Sequence, residues 1–545
     1  MATDHLLSWL VFLPLLAAAV MLVIPKSREH LYKWVALGAL GVVTVLSVVL
    51  AYSFDKSVSG YGAESLQFTQ QLDWIQLNIG SFGSMLVQYH VGVDGLSLAL
   101  VLLSAIILFI GVISSWNIKQ SVQGYFLLYM VLSTSVIGCF VALDFFLFYL
   151  FFEFMLLPMY FLIGIWGGKR RAYASIKFFI YTLVGSLLIL MVMIGLNLSV
   201  VQSPDSTIHT FDIMKMMNPE NFIPGSLLAL DFDGSLFGLT YRAWAFILLI
   251  IGFAIKLPAV PVHTWLPDAH VEAPTPISVV LAGILLKIGG YGFYRIGYTI
   301  FPDGAIEYGW WIGLIGVIAI VYAALVAMAQ ADLKRLIAYS SVSHMGFVML
   351  GMAALTVEGS AGALFQMFSH GIISALLFLM AGVLYDRTGD RMIANYSGLA
   401  SKMPWYSVAV IISFFAALGL PGFSGFIAEF LVLVGAFDGA INGNVVDTFM
   451  PILGLLGLVL GAAYFLWTIQ RMFFGKYWVR EESWSLPDLN AREWIMIVPL
   501  VILALLFGIF PGLLLDLANE TVTGFVEFVT TQGQSNLDII NATIR

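Results

Sequence analysis

Long apolar runs constrain this chain more than any other feature of its sequence. Hydrophobic residues make up 60% of its 545 residues and charged residues only 10%. The apolar residues are collected into many runs of about 18 or more, and a run of about 20 is long enough to cross a bilayer as a helix. A soluble domain has no use for so many runs of this length. The sequence therefore predicts an all-α integral membrane protein.

Fourteen such runs can be placed along the chain, and they predict about fourteen transmembrane helices in a single membrane domain covering residues 1–545. The predicted spans are 6–24, 33–54, 94–114, 122–141, 143–166, 175–200, 241–263, 276–298, 309–329, 334–354, 361–385, 406–437, 451–473 and 494–516. Residues 55–93 and 201–240 remain as the two sizeable surface loops. Apolar residues alternate with polar ones in the first loop, which predicts a β-hairpin.

The positive residues are distributed unequally between the two alternating sets of loops. One set holds seventeen of the 24 lysines and arginines, including Lys334, and the other holds five. Because positive residues accumulate in cytoplasmic loops, we expect the first set to face the cytoplasm. With an even number of spans, both termini are then expected on the outer side. The five outer residues are Lys56, Lys215, Arg242, Arg295 and Arg545, and the remaining two, Lys256 and Lys287, lie inside predicted spans.

The composition excludes several classes of function. Cys139 is the only cysteine and lies in an apolar run, so iron–sulfur clusters and disulfides within the chain are excluded. There is no Walker A loop and no GxGxxG motif to hold a nucleotide or flavin. The net charge is −8, with no basic stripe for nucleic acid. We expect no cofactor and no metal in this chain.

Two predicted spans are interrupted by proline and glycine at membrane depth. Residues 256–261 (KLPAVP) break the seventh span and residues 420–425 (LPGFSG) break the twelfth. The breaks are five spans apart, and an odd offset inverts the second unit relative to the first, as in inverted-repeat transporters. The predicted units are a first repeat over 122–298, a second, inverted repeat over 309–473, and flanking helices over 1–121 and 474–545.

Three ionisable residues fall in apolar surroundings in the first predicted repeat. Glu153 has five hydrophobic residues before it and four after it, Lys256 directly precedes the break, and Lys287 lies on the next span. Such residues are rare in membranes and usually mark ion or proton pathways. Glu153 is the expected partner of Lys256. The alternatives are a structural ion pair between helices and lysines that reach toward an interface.

The second predicted repeat carries further ionisable residues. His344 lies about ten residues into its span and should be near the membrane midplane, where an imidazole suits proton relay. His370 allows the same interpretation, and for both the alternative is a hydrogen-bonded core histidine. Glu429 follows the second break and has no lysine or arginine on its helix. A structural anchor explains one pair of buried charges, whereas a proton path explains the whole series.

Residues near the ends of the spans are less informative. His263 and His270 flank the sequence TWLPDA near the expected cytoplasmic side, where a role in proton intake and simple capping both remain open. Asp144 lies in a short polar break between two spans, and its position favours a helix cap.

Four stretches of this sequence resemble the antiporter-like membrane subunits of respiratory complex I, and the resemblance covers nearly the whole chain. They are DFFLFYLFFEFMLLPMYFLIGIWGGKRRAYASIK at 144–177, AIKLPAVPVHTWLPDAHVEAPTPISVVLAGILLKIGG at 254–290, DLKRLIAYSSVSHMG at 332–346 and LPGFSGFIAEF at 420–430. The resemblance implies the inverted repeats that the two breaks suggest. It also implies a proton path formed by Glu153 and Lys256 as a charged pair, Lys287 as the central lysine, His344 as a connecting histidine and Glu429 as the terminal acid. Related subunits carry lysine at the last position, so Glu429 favours one branch of the family.

The resemblance implies a proton-translocating subunit of NADH:quinone oxidoreductase in a bacterial cytoplasmic membrane. FMN, iron–sulfur clusters and quinone are then expected in partner subunits. The expected partners are other membrane subunits of the complex, above all neighbouring antiporter-like chains, together with lipid, protons and internal water. His263 and His370 are further candidates for the relay.

Three alternatives remain at this point. The same fold could serve a multisubunit cation/proton antiporter that is driven by ion gradients, or a membrane-bound hydrogenase. The buried charges could also be purely architectural, in which case substitutions would lower assembly and activity in parallel.

Overall fold

The helices of the computed structural model follow the predicted spans closely. It describes residues 5–78, 80 and 83–544, so that Arg545, one of the predicted outer positive residues, lies outside the described residues. Within the described residues, thirteen helices are long and apolar enough to cross a membrane. They correspond to every predicted span except the seventh, whose helix ends at Lys256 after 16 residues. The predicted all-α membrane fold with a broken seventh and twelfth span is confirmed.

The helices are numbered in chain order. They are α1 (Leu6–Val23), α2 (Glu29–Ser53), α3 (Gly95–Ser114), α4 (Val122–Val141), α5 (Phe145–Phe154), α6 (Leu156–Trp166), α7 (Arg171–Ser199), α8 (Ile213–Met216), α9 (Tyr241–Lys256), α10 (Trp265–Glu272), α11 (Thr275–Val280), α12 (Leu286–Gly292), α13 (Pro302–Met328), α14 (Leu333–Ala353), α15 (Val357–Thr388), α16 (Pro404–Ala417), α17 (Ser424–Ile441), α18 (Phe449–Phe473), α19 (Ala491–Ile509) and α20 (Gly512–Ile544).

Four of the predicted spans are irregular rather than single α-helices. The seventh span is divided into α9 and α10, and the twelfth into α16 and α17. The fifth span divides at Met155 into α5 and α6. Pro158 lies three residues further on, and in a regular α-helix its ring would clash with the backbone of the preceding turn. The eighth span contains two π-helical segments, Leu281–Leu285 and Phe293–Tyr298, on either side of α12. Each of the four irregularities lies close to an ionisable residue; Lys256, Lys287 and Glu429 are buried and Glu153 is partly buried.

The central helices of the bundle are shielded from the bilayer by the peripheral ones. All residues of the apolar core of α15, and of the span from Thr275 to Tyr298, are buried inside the protein. In α2, α18 and α19 only about a third or less is buried, and their apolar side chains face outward. The buried helices therefore form a protein-lined interior in which polar side chains avoid lipid.

The predicted β-hairpin is present on one face of the bundle. Its strands are β1 (Gln67–Asn78) and β2 (Ser84–Val93), which pair antiparallel, and β3 (Ile208–Thr210) adds in parallel to β2. Two short pairs complete the strands within the described residues. They are β4 (Ser235–Leu236) with β5 (Leu239–Thr240), and β6 (Tyr396–Ser397) with β7 (Trp478–Val479).

The 33-residue helix α20 was not anticipated from the sequence, which gave no helix after the last span. It packs along α3, α13 and α15 on the same face as the hairpin, where Tyr61 contacts Phe525. Asn536 donates a hydrogen bond to Asp303, and Asp303 is paired with Arg242. Arg242 was expected in a loop, whereas its guanidinium group is buried in the ion pair with Asp303.

Candidate functional site

Lys287 on α12 and His370 on α15 are in direct contact at the centre of the bundle. The distance from Lys287 Nζ to His370 Nδ1 is 2.8 Å, and both side chains are buried. Lys287 also donates a hydrogen bond to the carbonyl oxygen of Ala282. Ala282 lies in the π-helical segment Leu281–Leu285, and a π-helical turn alters the hydrogen-bond pattern of the backbone at that point. The irregular helix thus provides an acceptor for a lysine that cannot reach water.

His344 on α14 and Glu429 on α17 continue the series. His344 Nδ1 lies 3.2 Å from Glu429 Oε1 and 3.3 Å from Gln366 Nε2. The rings of His344 and His370 are 5.5 Å apart between centroids. Lys287, His370, His344 and Glu429 therefore form one series across four helices, in which each side chain is next to the following one.

A small cavity lies between the histidines and Glu429. Its volume is about 10 Å³, and its walls include His344, His370 and Glu429. This volume is close to what a single water molecule requires, and the walls offer several polar partners. Ser369, also in the wall, donates a hydrogen bond of 2.7 Å to Ser424, the first residue of α17. The cavity can thus hold a water that completes the link between the two rings.

The carboxylate of Glu429 lies against the break of the twelfth span. Gly419 adopts a φ of +73°, and a Cβ added there would collide with Oε2 of Glu429. The neighbouring Leu420 is 40% exposed on the side of the bundle. The break therefore brings a buried carboxylate within one layer of atoms of the lateral surface.

Glu153 and Lys256 are less well partnered. Within the described residues, neither Lys256 Nζ nor Glu153 Oε1 has a hydrogen-bond partner. The two side chains form no ion pair, although Glu153 acts electrostatically on Lys256. Lys256 Nζ instead lies over the rings of Phe152 at 4.9 Å and Phe178 at 5.7 Å, where cation–π attraction can hold it. The expected contact between Glu153 and Lys256 is not formed in this conformation.

The position of Glu153 is partly open to the lateral surface. It is the second-last residue of α5, and its neighbours Phe154 and Leu157 are 57% and 56% exposed. The helix restarts at Leu156 after the irregular residue Met155, so that the chain can adjust at this point. Glu153 is therefore placed where a neighbouring subunit or a local movement could change its surroundings.

Two residues near the ends of the spans, His263 and Asp144, make different kinds of contact. His263 is 3% exposed and its ring contacts those of Tyr322 and Tyr339, away from the series. Asp144 caps α5 by accepting a hydrogen bond of 3.0 Å from the amide of Leu147. The pKa of the Asp144 carboxyl is raised to about 7, mainly by burial and also by the nearby Asp212, while hydrogen bonds from the amides of Gln88 and Leu147 oppose the rise.

The burial of Lys334 was not expected from the sequence, and the role of His270 was left open between proton intake and capping. Lys334 was counted with the loop cations, but it is only 2% exposed and donates hydrogen bonds to Ala273 O at 2.9 Å and Ser278 Oγ at 3.2 Å. His270 is fully buried and neither of its ring nitrogens has a hydrogen-bond partner among the described residues. A lysine near a helix start is normally solvated, so the pattern of the sequence gave no signal for the burial of Lys334.

Metal binding is not indicated by the side chains. In the part of the chain that the structure describes, no group of three or more His, Cys, Asp or Glu residues is arranged to hold a metal ion. The buried groups are instead lysines, histidines and single carboxylates, which are able to exchange protons.

The chain is similar to known membrane subunits over nearly its whole length. The family described as NADH:quinone oxidoreductase/Mrp antiporter, TM, matches residues 142–457, which contain the whole series from Glu153 to Glu429. A Rhodobacter capsulatus protein named NADH-quinone oxidoreductase subunit M is 42% identical over 96% of this chain and 97% of its own length. An Arabidopsis thaliana protein named NADH-ubiquinone oxidoreductase chain 4 is 36% identical over 96% of this chain and 97% of its own. A chain in the structure of respiratory complex I from Thermus thermophilus with bound NADH covers 96% of this chain and 99% of its own, with a TM-score of 0.78 and 28% identity.

Proposed function

The chain belongs to the NADH:quinone oxidoreductase and Mrp antiporter family of membrane subunits, and on that premise we propose that its buried lysines, histidines and glutamates conduct protons. It is an antiporter-like, multi-pass membrane subunit of a respiratory complex I. The redox cofactors belong to partner subunits, so the energy for pumping must arrive through contacts with neighbouring chains. Relatives that are named as oxidoreductase subunits favour this role over that of a free-standing antiporter.

The single observation that carries the proposal is the contact series Lys287, His370, His344 and Glu429. Each member can both hold and release a proton, and the spacing between members allows transfer directly or through one water molecule. Burial inside the bundle keeps the series apart from lipid and from bulk water. A protonated Lys287 can pass its proton to His370, which becomes charged as Lys287 becomes neutral, and the same exchange then proceeds to His344 and Glu429.

We assign the controlled step to Glu153 and Lys256. An ammonium group that lacks a hydrogen-bond acceptor in a low-dielectric interior is costly, and a nearby carboxylate lowers this cost. When Glu153 approaches, Lys256 can hold a proton; when Glu153 withdraws, the proton is released toward Lys287. Movement at the irregular residue Met155, driven by charge on a neighbouring subunit, would provide the withdrawal.

The orientation follows from the charge bias of the loops. We propose that the loops rich in lysine and arginine face the cytoplasm of a bacterium, and that both termini and the hairpin lie on the outer side. We also propose that residues 122–298 and 309–473 are inverted repeats, because each unit contains one span broken next to a buried ionisable residue. Protons then enter in the first unit and leave from Glu429 in the second.

The experiment is to replace Glu429 by glutamine in the assembled complex and to measure NADH-driven acidification of inside-out membrane vesicles. Glutamine keeps the size and hydrogen-bonding capacity of glutamate but cannot carry a proton. We expect proton pumping to fall at least about tenfold, since the last member of the series is removed. Asp438→Asn is the matched control, because Asp438 lies on the same helix and is exposed. Unchanged pumping by a fully assembled Glu429→Gln complex would contradict the proposal.

A further inference from the structure

Gln366 on α15 and Glu429 on α17 contact the same nitrogen atom of His344. The distance from His344 Nδ1 is 3.3 Å to Gln366 Nε2 and 3.2 Å to Glu429 Oε1. In a neutral imidazole this nitrogen carries either a lone pair or a hydrogen, so it makes one good hydrogen bond at a time. The two side chains therefore compete for Nδ1, although Gln366 is not a member of the proposed conducting series.

The two competitors require opposite states of Nδ1. The amide nitrogen of a glutamine can only donate, so Gln366 Nε2 bonds to an Nδ1 atom that has no proton. An ionised Glu429 can only accept, so it bonds to an Nδ1 atom that carries a proton. The transfer from His344 to Glu429 needs the second state. In the orientation that the structure shows, Gln366 thus favours an Nδ1 atom that has no proton to give.

The other end of the Gln366 amide is unsatisfied. Gln366 is 2% exposed, and its Oε1 atom has no hydrogen-bond partner among the described residues. A buried carbonyl oxygen without a partner is destabilising, and a glutamine that only tied helices together would be expected to bond through both of its ends. If the amide turns over, Oε1 takes the place of Nε2 and accepts a hydrogen bond from a protonated Nδ1. The amide can therefore serve both states of His344, one with each end.

The surroundings of Gln366 leave room for its amide to turn. Gln366 lies in the wall of the cavity of about 10 Å³ that His344, His370 and Glu429 also line, so the end of its side chain has free space on one side. It precedes His370 by four residues, which places both side chains on the face of α15 that contacts His344. The amide can thus change its orientation without a movement of the helices.

We propose that Gln366 is a positioning residue that acts as a valve between His344 and Glu429. A proton from His370 enters His344 at Nε2 through water in the cavity, and the proton on Nδ1 passes to Glu429. Nδ1 is left with a lone pair, the amide of Gln366 turns its N–H group toward that lone pair, and Glu429 cannot return its proton. One proton enters His344 and one leaves it, and Gln366 itself gains and loses none.

The valve opens again after Glu429 has released its proton to the outer side. Water in the cavity then moves the remaining proton of His344 from Nε2 to Nδ1, and the amide of Gln366 turns so that Oε1 accepts a hydrogen bond from Nδ1. The orientation in the structure, with Gln366 Nε2 toward Nδ1, is that of the closed valve. This inference rests on the proposed conducting series and adds a direction to its last step.

The test is Gln366→Met, which keeps the length of the side chain but neither donates nor accepts a hydrogen bond. Pumping by the assembled complex in inside-out vesicles is measured at several opposing proton gradients. Without a gradient, we expect the rate to stay within about twofold of the native rate, because the path remains. Against the largest gradient, we expect it to fall about twofold to tenfold, the effect of one lost hydrogen bond on an equilibrium. Native rates at every gradient, or a loss of equal size at every gradient, would overturn the valve.

Gln366→Glu separates a valve from a structural contact. It keeps the size and an acceptor for His344, but an ionised carboxylate cannot donate to the lone pair of Nδ1. A valve predicts that Gln366→Glu and the shorter amide of Gln366→Asn also lose pumping as the gradient grows. A structural role predicts that Gln366→Glu restores native pumping, and that result would overturn the inference.

Ser374→Ala is the matched control, because it removes a buried hydrogen bond on the same helix and should leave the gradient dependence unchanged. The Glu429→Gln complex is measured alongside the Gln366 variants. If Glu429→Gln blocks pumping and the Gln366 variants keep the native gradient dependence, only the valve fails. If Glu429→Gln has no effect, the proposed function itself fails.

Discussion

The two regions of buried ionisable residues differ in how well their polar atoms are satisfied. Lys287, His370, His344 and Glu429 contact one another in sequence, and the interior provides further acceptors such as Ala282 O. In the other region, the amine of Lys256 has no hydrogen-bond partner among the described residues, and it faces aromatic rings. A satisfied series can pass a proton with small movements, whereas an unsatisfied pair must move or take up water first. We infer from this difference that the region of Glu153 and Lys256 controls the flow of protons and that the series from Lys287 to Glu429 conducts it.

The two regions also differ in the regularity and burial of their backbone. Glu153 lies beside an irregular residue and near exposed side chains, so its surroundings can change. Lys287 lies in a span that is buried along its whole apolar length and is fixed by two hydrogen bonds. A controlling element has to be movable, and a conducting element has to keep its spacing. Substitutions in the two regions test this division of roles.

Lys287→Met should have the largest effect, because Lys287 is the first member of the contact series that conducts the proton to Glu429. Methionine fills a similar volume but cannot contact His370 as a proton carrier. We expect the rate of pumping in inside-out vesicles to fall at least about tenfold, which is about 1.4 kcal/mol of barrier. Lys287→Arg should fail equally, since arginine keeps its proton. Lys476→Met is the control at an exposed position, and normal pumping by Lys287→Met would remove the conducting region from the mechanism.

Lys256→Ala should have an intermediate effect, because it removes the residue that holds the proton in the controlled step but leaves the contact series from Lys287 to Glu429 intact. We expect pumping to fall about twofold to fivefold while the complex assembles normally. The matched control is Lys215→Ala, which removes an exposed lysine. Undiminished pumping by the assembled Lys256→Ala complex would refute the role of Lys256 in the controlled step.

Glu153→Gln should have a smaller effect than Lys256→Ala. Glutamine retains the shape of glutamate but no longer favours a charged Lys256, so that the controlled intake works poorly rather than not at all. We expect pumping to fall about twofold, with a steeper loss as the opposing proton gradient grows. Pumping should be measured at several gradients and compared with Glu220→Gln, an exposed control. An effect independent of the gradient would contradict the assignment of control to Glu153.

A change at Asp144 should have the smallest effect, and the effect should be confined to the start of α5, because Asp144 caps the helix that carries Glu153. Burial raises the pKa of its carboxyl to about 7, so the folded protein binds this proton more tightly than the unfolded chain does. The protonated carboxyl therefore stabilises the fold fully at low pH, and this contribution is lost as the pH rises through about 7. We expect hydrogen-exchange protection of the first turn of α5, corrected for the intrinsic exchange rate, to decrease between pH 5 and pH 8.

Asp144→Asn should make that protection independent of pH, since an amide does not titrate in this range. Asp205→Asn, at an exposed position in the loop that precedes Asp212, is the control and should retain the native dependence. A native pH profile in Asp144→Asn would show that another group loosens this helix end.

Much of the fold could be predicted from the sequence because the membrane leaves few choices. Backbone groups in hydrocarbon must be satisfied within helices, so the long apolar runs became helices, and those of the seventh and twelfth spans are broken as expected. The KLPAVP and LPGFSG segments marked the breaks because proline removes a donor and clashes with the preceding turn. The long helix α20 was missed because its lower hydrophobicity gives no membrane signal; its partners are α3, α13 and α15 rather than lipid.

The sequence indicated which ionisable residues lie in apolar surroundings but not which of them contact one another. Glu153, Lys256, Lys287, His344 and Glu429 stood out because a charge in an apolar run is costly wherever the helix lies. His370 was given a secondary place, yet it is the residue that contacts Lys287, since α15 passes between α12 and α14. Lys334 was assigned to a loop because hydropathy indicates how deep a residue lies in the membrane. It does not indicate whether neighbouring helices cover that residue.

The sequence by itself determined that the chain spans a membrane, where its helices break and which buried residues can carry charge. These properties depend on local transfer free energies and local backbone chemistry, which each segment carries wherever it is placed. Only the tertiary structure decided that four of the ionisable residues form a connected series, while the side chains of Lys256 and His270 have no hydrogen-bond partner among the described residues. Contacts of 3 Å between different helices depend on packing angles and on shifts produced by π-helical turns. Those distances arise from the whole bundle together, so no single segment contains them.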